Sequence, residues 1–199
     1  KPTYGLVPFT GIMNCVVSTD HAGPITNNVY DNALLLEVIA GPDDLDPRQH
    51  IPEGKYGDYT SNIKAGVKDM KIGIIKEGFG FKQSEPIVDD FVKKAAYKFQ
   101  ELGAIVEEIS IPEHSTADFL CDAICLEGAY MTMMQNGSLG TKGLHLPSLT
   151  KAQGRWKSYP DQLSIPVKLG QIVGDYVWNE YHGVFQAKAH NLIRNLRKV

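Results

Sequence analysis

Residues 71–109 alternate between strand and helix patterns in an order that few folds accommodate. Residues 71–75 form a short apolar run typical of a buried strand, and residues 104–109 form a second one. Between them, apolar residues recur at helical spacing up to Gly103, which favours a helix end; they are Val88, Phe91, Val92, Ala95, Phe99 and Leu102. Strand, helix and strand this close in sequence predict a βαβ unit over 71–110, with parallel strands and a right-handed crossover. The predicted fold class is α/β.

The flanking segments give weaker signals. Residues 4–8 and 15–19 are short apolar stretches among Gly, Pro and Thr, and we predict strands there. Thr26 and Ser84 precede helical patterns and are predicted N-caps, since their hydroxyls can accept a bond from a first-turn N–H. Residues 115–199 are predicted to be mostly helical.

Composition excludes several classes of protein. The chain is 43% apolar and 22% charged, ordinary values for a globular domain and far from those of a disordered chain. A net charge of -3 gives no global attraction to nucleic acid or to an anionic membrane surface, and neither is an expected partner. Three cysteines do not form a disulfide framework, so we expect reduced thiols and a cytoplasmic location. No signal peptide or membrane-spanning run is visible.

No metal site or cofactor is predicted. Cys121 and Cys125 share one face of a predicted helix, but a closed zinc site needs four ligands and no partner pair exists in the sequence. We therefore interpret both cysteines as buried small hydrophobic residues. The acidic residues Asp43, Asp44 and Asp46 are interpreted as a solvated surface loop.

A serine-type site within the chain is one alternative. Ser18, Asp20 and His21 are the residue types of an acyl-transfer triad. Neighbours along a strand point to opposite faces, which argues against their alignment as nucleophile, orienting group and base. A Gly-x-Ser-x-Gly motif is also absent. A complete hydrolase using Ser18 with His21 nevertheless stays open as a hypothesis.

Several short motifs occur in a fixed order over residues 1–49, and 71–111 continues the series with Gly78-Phe79-Gly80 and Glu85-Pro86. The motifs are Lys1-Pro2-Thr3-Tyr4-Gly5-Leu6-Val7-Pro8, Asp20-His21-Ala22-Gly23-Pro24-Ile25-Thr26, Asp31-Asn32-Ala33, Ile39-Ala40-Gly41 and Asp46-Pro47-Arg48-Gln49. In this order they resemble the amidase signature family, and most closely the bacterial amide hydrolases associated with nitrile degradation. The resemblance fades after about residue 115.

The resemblance implies a larger α/β/α layered fold around a mixed sheet, of which residues 1–199 would be the central part, truncated at both ends. It implies hydrolysis of an amide through a serine acyl-enzyme, with a triad of a serine, a second serine on a cis peptide bond and a lysine. In the family these groups lie N-terminal to the motif that begins at Lys1. No catalytic residue is therefore expected within the chain, and Lys1 is not the catalytic lysine.

The resemblance also implies supporting roles for a few residues. Thr19 would face the acyl pocket and leave it wider and more polar than a larger aliphatic residue would, and Cys121 would line another part of that pocket. Asp20 would anchor the glycine-rich loop upstream through an arginine, or else serve only as a strand-end cap with no bearing on the site. Gly23 and Pro24 would shape the backbone beside the site.

The function expected from the resemblance is hydrolysis of a small amide by the full-length protein, with the piece alone inactive. A catalytically inert binding or scaffold module derived from an amidase is the second hypothesis. The substrate and the oligomeric state stay open, a homodimer of the full-length form included. Missing sheet strands would leave exposed apolar helix faces and an unpaired sheet edge.

Overall fold

The computed structural model describes residues 1–50, 56–137 and 142–198. The chain divides into two compact units. The first comprises Lys1–Ile63 with Asp122–Ala189, and the second comprises Lys64–Cys121 with His190–Val199.

Six helices and two strands are found in the described residues. In chain order they are α1 (Val29–Ile39), β1 (Lys71–Ile75), α2 (Pro86–Glu101), β2 (Ile105–Ile109), α3 (Ala117–Met133), α4 (Pro147–Gln153), α5 (Ile165–Tyr181) and α6 (Val184–Leu196). Short 3₁₀ turns lie at Lys76–Gly78, Pro112–Thr116, Gly154–Ser158 and Pro160–Gln162.

The second unit is built on the βαβ segment. β1 and β2 pair in parallel, from Lys71 opposite Ile105 to Ile75 opposite Ile109, and α2 is the crossover between them. Gly103 ends the helix with a φ of +94°, a left-handed conformation that favours glycine. The α/β class predicted from the sequence is confirmed.

The apolar stripe of α2 is exposed. No residue of α2 is buried, and the exposed fraction is 66% for Phe91 and 61% for Leu102, which follows the helix. Val88, Val92 and Phe99 are exposed as well. Soluble monomers seldom leave such a continuous apolar face in water. The pattern is that of a helix that needs a further covering layer.

The first unit has its core around α3. Ile124 and Tyr130 of α3 are almost completely buried, and so is Glu127, whose exposed fraction is 0%. α5 packs closely against α3 at Gly174, where a Cβ atom would lie 2.7 Å from the carbonyl oxygen of Leu126. Glycine is therefore required for this helix approach.

The predicted strands at 4–8 and 15–19 are wrong, because both segments form turns. Gly5 has a φ of +76°, and a Cβ there would lie 2.5 Å from the carbonyl oxygen of Arg48. In the other segment the amides of Cys15 and Val16 donate to the carboxylate of Asp20 instead of to a neighbouring strand. The two segments therefore form turns: one contains a glycine with a positive φ, and the amides of the other donate to a side chain and not to a neighbouring strand.

Both predicted N-caps are also wrong. Asn28 caps α1, since its side chain accepts from the amide of Asp31, whereas Thr26 donates to the Asn28 carbonyl. Glu85 is the cap residue of α2, and it makes no side-chain capping bond. The Ser84 hydroxyl instead donates to the Phe81 carbonyl at 2.8 Å, with the Asp89 carboxylate also within 3.3 Å. Both helices begin close to the predicted position with different local bonding.

Candidate functional site

Thr19 lies on a compact turn formed by residues 15–20, which we call the Thr19 turn. The amides of Thr19 and Asp20 both donate to the Val16 carbonyl, at 3.0 Å. The Thr19 side chain is exposed, while Val16 is buried with an exposed fraction of 4%. The turn therefore presents Thr19 outward from a fixed backbone.

The Asp20 carboxylate closes this turn. Its Oδ2 atom accepts the amide of Cys15 at 2.7 Å and the amide of Val16 at 3.0 Å. Two N–H donors to one carboxylate oxygen fix the backbone more firmly than a single neutral bond would. Asp20 therefore caps a turn and not the strand end that the sequence predicted, because residues 15–19 form no strand. A bond from Asp20 to an upstream arginine stays a prediction.

Gly23 and Pro24 line an open groove of about 410 Å³ beside the turn, together with Lys1, Pro2, His21, Ala22, Ile25, Asn32 and Leu36. A Cβ atom at position 23 would lie 2.8 Å from Cδ of Pro2, so only glycine allows this close approach. The Asn32 side chain of α1 donates to the Pro24 carbonyl at 3.2 Å. The segment that follows Asp20 is thus held against both the N-terminal residues and α1.

His21 is engaged by groups other than a serine hydroxyl. Its Nδ1 atom contacts the Thr19 carbonyl, and its Nε2 atom lies 3.1 Å from Nζ of Lys1. The ring also meets Tyr4 edge to face, with centroids 5.3 Å apart. With Nδ1 donating to a carbonyl, Nε2 accepts from the Lys1 ammonium, so both ring nitrogens have partners. A hydrolase that uses Ser18 with His21 stays a hypothesis.

Cys121 is exposed on α3, within the second unit, and Cys125 is half-buried in the first. The interpretation of Cys121 as a buried hydrophobic residue is wrong, since its side chain is exposed. All three cysteines are present as thiols. A pocket role for Cys121 stays a prediction.

Asp46 was expected in a solvated loop, and this is wrong, because it is buried in an ion pair. Arg48 donates to it through Nε and Nη2, both at 2.8 Å, and the Phe9 amide donates to the same carboxylate at 2.8 Å. The guanidinium lies over the Phe9 ring, 4.4 Å from its centroid. The sequence does contain a signal for this pair: Asp46 lies two residues before Arg48, with Pro47 between them, which is typical of a turn that brings the two side chains together.

The ion pair between Asp46 and Arg48 makes the stability of the fold depend on pH in the acidic range. The hydrogen bond from the Arg48 side chain lowers the pKa of Asp46 from 3.8 to about 2, against the opposing effect of burial. Because the pKa is lower in the folded state, the carboxylate stabilises the fold above about pH 4, and this is lost as the pH falls towards about 2. Asp46→Asn should flatten that part of the acid dependence, measured as the urea midpoint between about pH 5 and about pH 2. Asp44→Asn, which changes an exposed residue of the same loop, is the matched control; an unaltered acid slope in Asp46→Asn would contradict the assignment.

Sequence reasoning did not identify Glu127 and Gly128, which lie on α3 beneath the Thr19 turn. A Cβ atom at position 128 would lie 2.8 Å from Cγ1 of Val16. The Glu127 carboxylate accepts the amide of Gln186 at 2.8 Å. The sequence does contain a signal for Glu127, because it lies three residues after Ile124 and therefore on the apolar face of a predicted helix.

Within the residues that the structure describes, no group of three or more His, Cys, Asp or Glu side chains could hold a metal ion. The same residues contain no helix that is both long and apolar enough to cross a membrane.

Comparison with known proteins relates the whole chain to longer ones. The sequence model of the family described as Amidase matches residues 1–198. The enantioselective amidase of Rhodococcus rhodochrous is 34% identical over 200 residues, 99% of this chain and 38% of that protein. A glutamyl-tRNA(Gln) amidotransferase subunit from Moorella thermoacetica is 46% identical over 113 residues, 56% of this chain and 22% of that protein.

The crystal structure of the corresponding glutamyl-tRNA(Gln) amidotransferase subunit from Thermotoga maritima is similar in fold. It matches with a TM-score of 0.63 and 25% identity, over 98% of this chain and 37% of that chain. The chain thus spans well under half the length of the proteins it matches.

Proposed function

The chain belongs to the amidase family, and from this membership we propose that it is the central part of an enzyme that hydrolyses carboxylic acid amides to carboxylate and ammonia. The resemblance drawn from the sequence motifs is confirmed, as is the α/β fold of a partial amidase-signature domain. The observation that carries the proposal is the 34% identity to an enantioselective amidase over 99% of the chain.

In the proposed reaction the nucleophile is a serine N-terminal to Lys1. Its oxygen attacks the amide carbonyl carbon, and its proton passes through the second serine to a neutral lysine. The proton then reaches the departing nitrogen, which leaves as ammonia, and water cleaves the resulting ester to give the carboxylate and the free serine. The proposed reaction needs no metal or cofactor, and we propose that it takes place in the cytoplasm.

This chain would contribute a wall of the acyl pocket. We assign Thr19 to that wall, since it is exposed on a turn whose backbone Asp20 fixes. Gly23 and Pro24 would form the adjoining groove, where glycine permits the close contact with Pro2. A pocket built on a rigid turn favours selection of the acyl group by shape.

Transfer of the amide nitrogen to an acceptor is a second candidate function. It is favoured by the 46% identity to the Moorella thermoacetica amidotransferase protein, although that match covers only 56% of the chain. In this case the enzyme would release little ammonia without its acceptor. The inert scaffold module is the third hypothesis, and it would show neither activity.

Ammonia release by the full-length protein tests these candidates. With a panel of aliphatic and aromatic amides, we expect turnover without any partner protein, and added hydroxylamine should divert the acyl group to a hydroxamate. Reaction with a sulfonyl fluoride, followed by peptide mapping, should modify a serine N-terminal to Lys1. Modification of Ser18, with activity lost in Ser18→Ala, would contradict the proposal; so would a well-folded protein with no turnover.

Thr19→Ile tests the assigned pocket wall. Isoleucine replaces the Thr19 hydroxyl, which donates to the Val16 carbonyl at 3.4 Å, by an ethyl group. This larger group should narrow the pocket, and we expect kcat/KM for a bulky aromatic amide to fall by about tenfold relative to a small aliphatic amide. Thr116→Ile, at an exposed threonine of the second unit, is the control. Equal changes for both amides would exclude Thr19 from the acyl pocket.

A further inference from the structure

The Thr19 turn contacts α3 through the Val16 side chain. Val16 is the buried residue of the turn. A Cβ at position 128 would lie 2.8 Å from Cγ1 of Val16, 3.0 Å from Nε2 of Gln186 and 3.5 Å from Cγ2 of Val16. A contact as short as that to Cγ1 is not tolerated without a shift, and a short branched side chain such as Val16 has little freedom to move. The absence of a side chain at position 128 therefore sets how deeply the turn sits.

The turn is also held from its other end. The Tyr4 hydroxyl donates to the Val17 carbonyl at 3.0 Å, and the Asp20 carboxylate closes the loop on the Cys15 and Val16 amides. Because these bonds fix the turn on either side of Val16, a push at Val16 cannot be absorbed by free rotation of the turn. It must move the backbone that carries Thr19.

The surface beneath Val16 is itself fixed. Glu127, next to Gly128 on α3, is fully buried and accepts the amide of Gln186 at 2.8 Å. Gln186 lies in the first turn of α6, where amides have no partner within the helix. The carboxylate thus joins α3 to the start of α6 at the level of the Val16 contact.

From this arrangement we infer that Gly128 is a positioning residue of the acyl pocket: its missing side chain seats Val16, and the seated turn sets the place of Thr19. The inference rests on the proposed function in naming the acyl pocket, while the seating of the turn on α3 stands on the contacts alone. It adds a determinant of acyl selectivity that touches no substrate.

The test is Gly128→Ala in the full-length protein, with two readouts. We expect the ratio of kcat/KM between a bulky and a small amide to change by about fivefold to tenfold, with less change in kcat for the small amide. The second readout needs no activity. The Cys15 side chain is exposed at the start of the turn, while partial burial and then the nearby Asp20 charge raise the pKa of its thiol. A turn displaced from Asp20 should therefore let Cys15 react several-fold faster with a disulfide reagent, which mass spectrometry of the Cys15 peptide measures.

Two further variants separate positioning from general damage. Gly154→Ala adds the same methyl group where no atom lies within 4 Å, and it should change neither readout. Val16→Ala should also speed Cys15 labelling, because the turn loses its buried anchor. The double variant Val16→Ala with Gly128→Ala should recover selectivity and labelling rate to within about twofold of the wild type, since the new Cβ occupies the space left by the Val16 methyl groups. The other close neighbour, Nε2 of Gln186 at 3.0 Å, is the end of a flexible side chain and can move aside.

The outcomes are distinguishable. A selectivity shift and faster labelling in Gly128→Ala, both reversed in the double variant, support the inference. Unchanged labelling in both Gly128→Ala and Val16→Ala overturns it, whatever the activity. Faster labelling with unchanged selectivity in an active enzyme overturns the link to the pocket. An inactive wild-type protein refutes the proposed function, and the labelling still decides the seating.

Discussion

Replacing Glu127 by alanine should lower the free energy of unfolding by about 3 kcal/mol. The side chain is fully buried, so its removal leaves a cavity in the centre of α3. It also leaves the Gln186 amide without its acceptor at 2.8 Å. A carboxylate beside the N-terminal end of α6 is further favoured by the helix dipole, and that contribution is lost too.

One contribution opposes this loss. The Oε1 atom of Glu127 is buried with no hydrogen-bond partner among the described residues, and burial of an unpartnered carboxylate oxygen is costly. Removing it returns part of the free energy lost. The free energy lost through the cavity and through the unpaired Gln186 amide is larger than this gain. The gain comes from one buried oxygen, whereas the cavity has the size of the whole side chain.

Two variants make the measurement specific. Glu127→Gln keeps an acceptor for Gln186 and the side-chain volume, and should cost only about 1 kcal/mol. Glu180→Ala, at an exposed position of α5, should change stability by less than about 0.5 kcal/mol. Urea unfolding of the full-length protein gives all three values. A loss in Glu127→Ala no larger than in Glu180→Ala would mean that the carboxylate does not link α3 to α6.

What the sequence predicted well was local. The βαβ unit follows from two apolar runs, one amphipathic stretch and Gly103, all within a short segment, and the register of β1 on β2 agrees with it. The ordered motifs identified the family because each is a short string in fixed order. These signals do not depend on contacts that are distant in sequence.

The features that the sequence did not predict depend on contacts between residues that are distant along the chain. Residues 15–19 are apolar enough for a strand, yet Asp20 takes the amides that a neighbouring strand would have used. Asp46 looks solvated in sequence, but the Phe9 amide, far upstream, donates to it. Gly128 and Val16 meet across more than half the chain. Such contacts become visible only when the fold brings the segments together.

The contact between α3 and α5 supplies the second large expected effect. Gly174→Ala should lower the free energy of unfolding by about 2 kcal/mol, even though alanine favours a helix interior by about 1 kcal/mol over glycine. A Cβ at this position would lie 2.7 Å from the Leu126 carbonyl oxygen and 2.8 Å from Cβ of Tyr130. Neither atom can rotate away, since one belongs to the backbone and the other is bonded directly to it. The helices must separate, which loosens the packing of buried Tyr130.

Gly170→Ala is the matched control, because position 170 lies about one turn earlier on the same helix. The nearest atom to a Cβ there is Cδ2 of Leu126 at 3.8 Å, an ordinary contact. This variant should be neutral or stabilising by up to about 1 kcal/mol through helix propensity. Leu126→Ala should not rescue Gly174→Ala, since the obstructing atom is the carbonyl oxygen and survives the truncation. Equal stability of the two glycine variants, or rescue by Leu126→Ala, would show that α3 and α5 do not meet as closely at Gly174 as the structure places them.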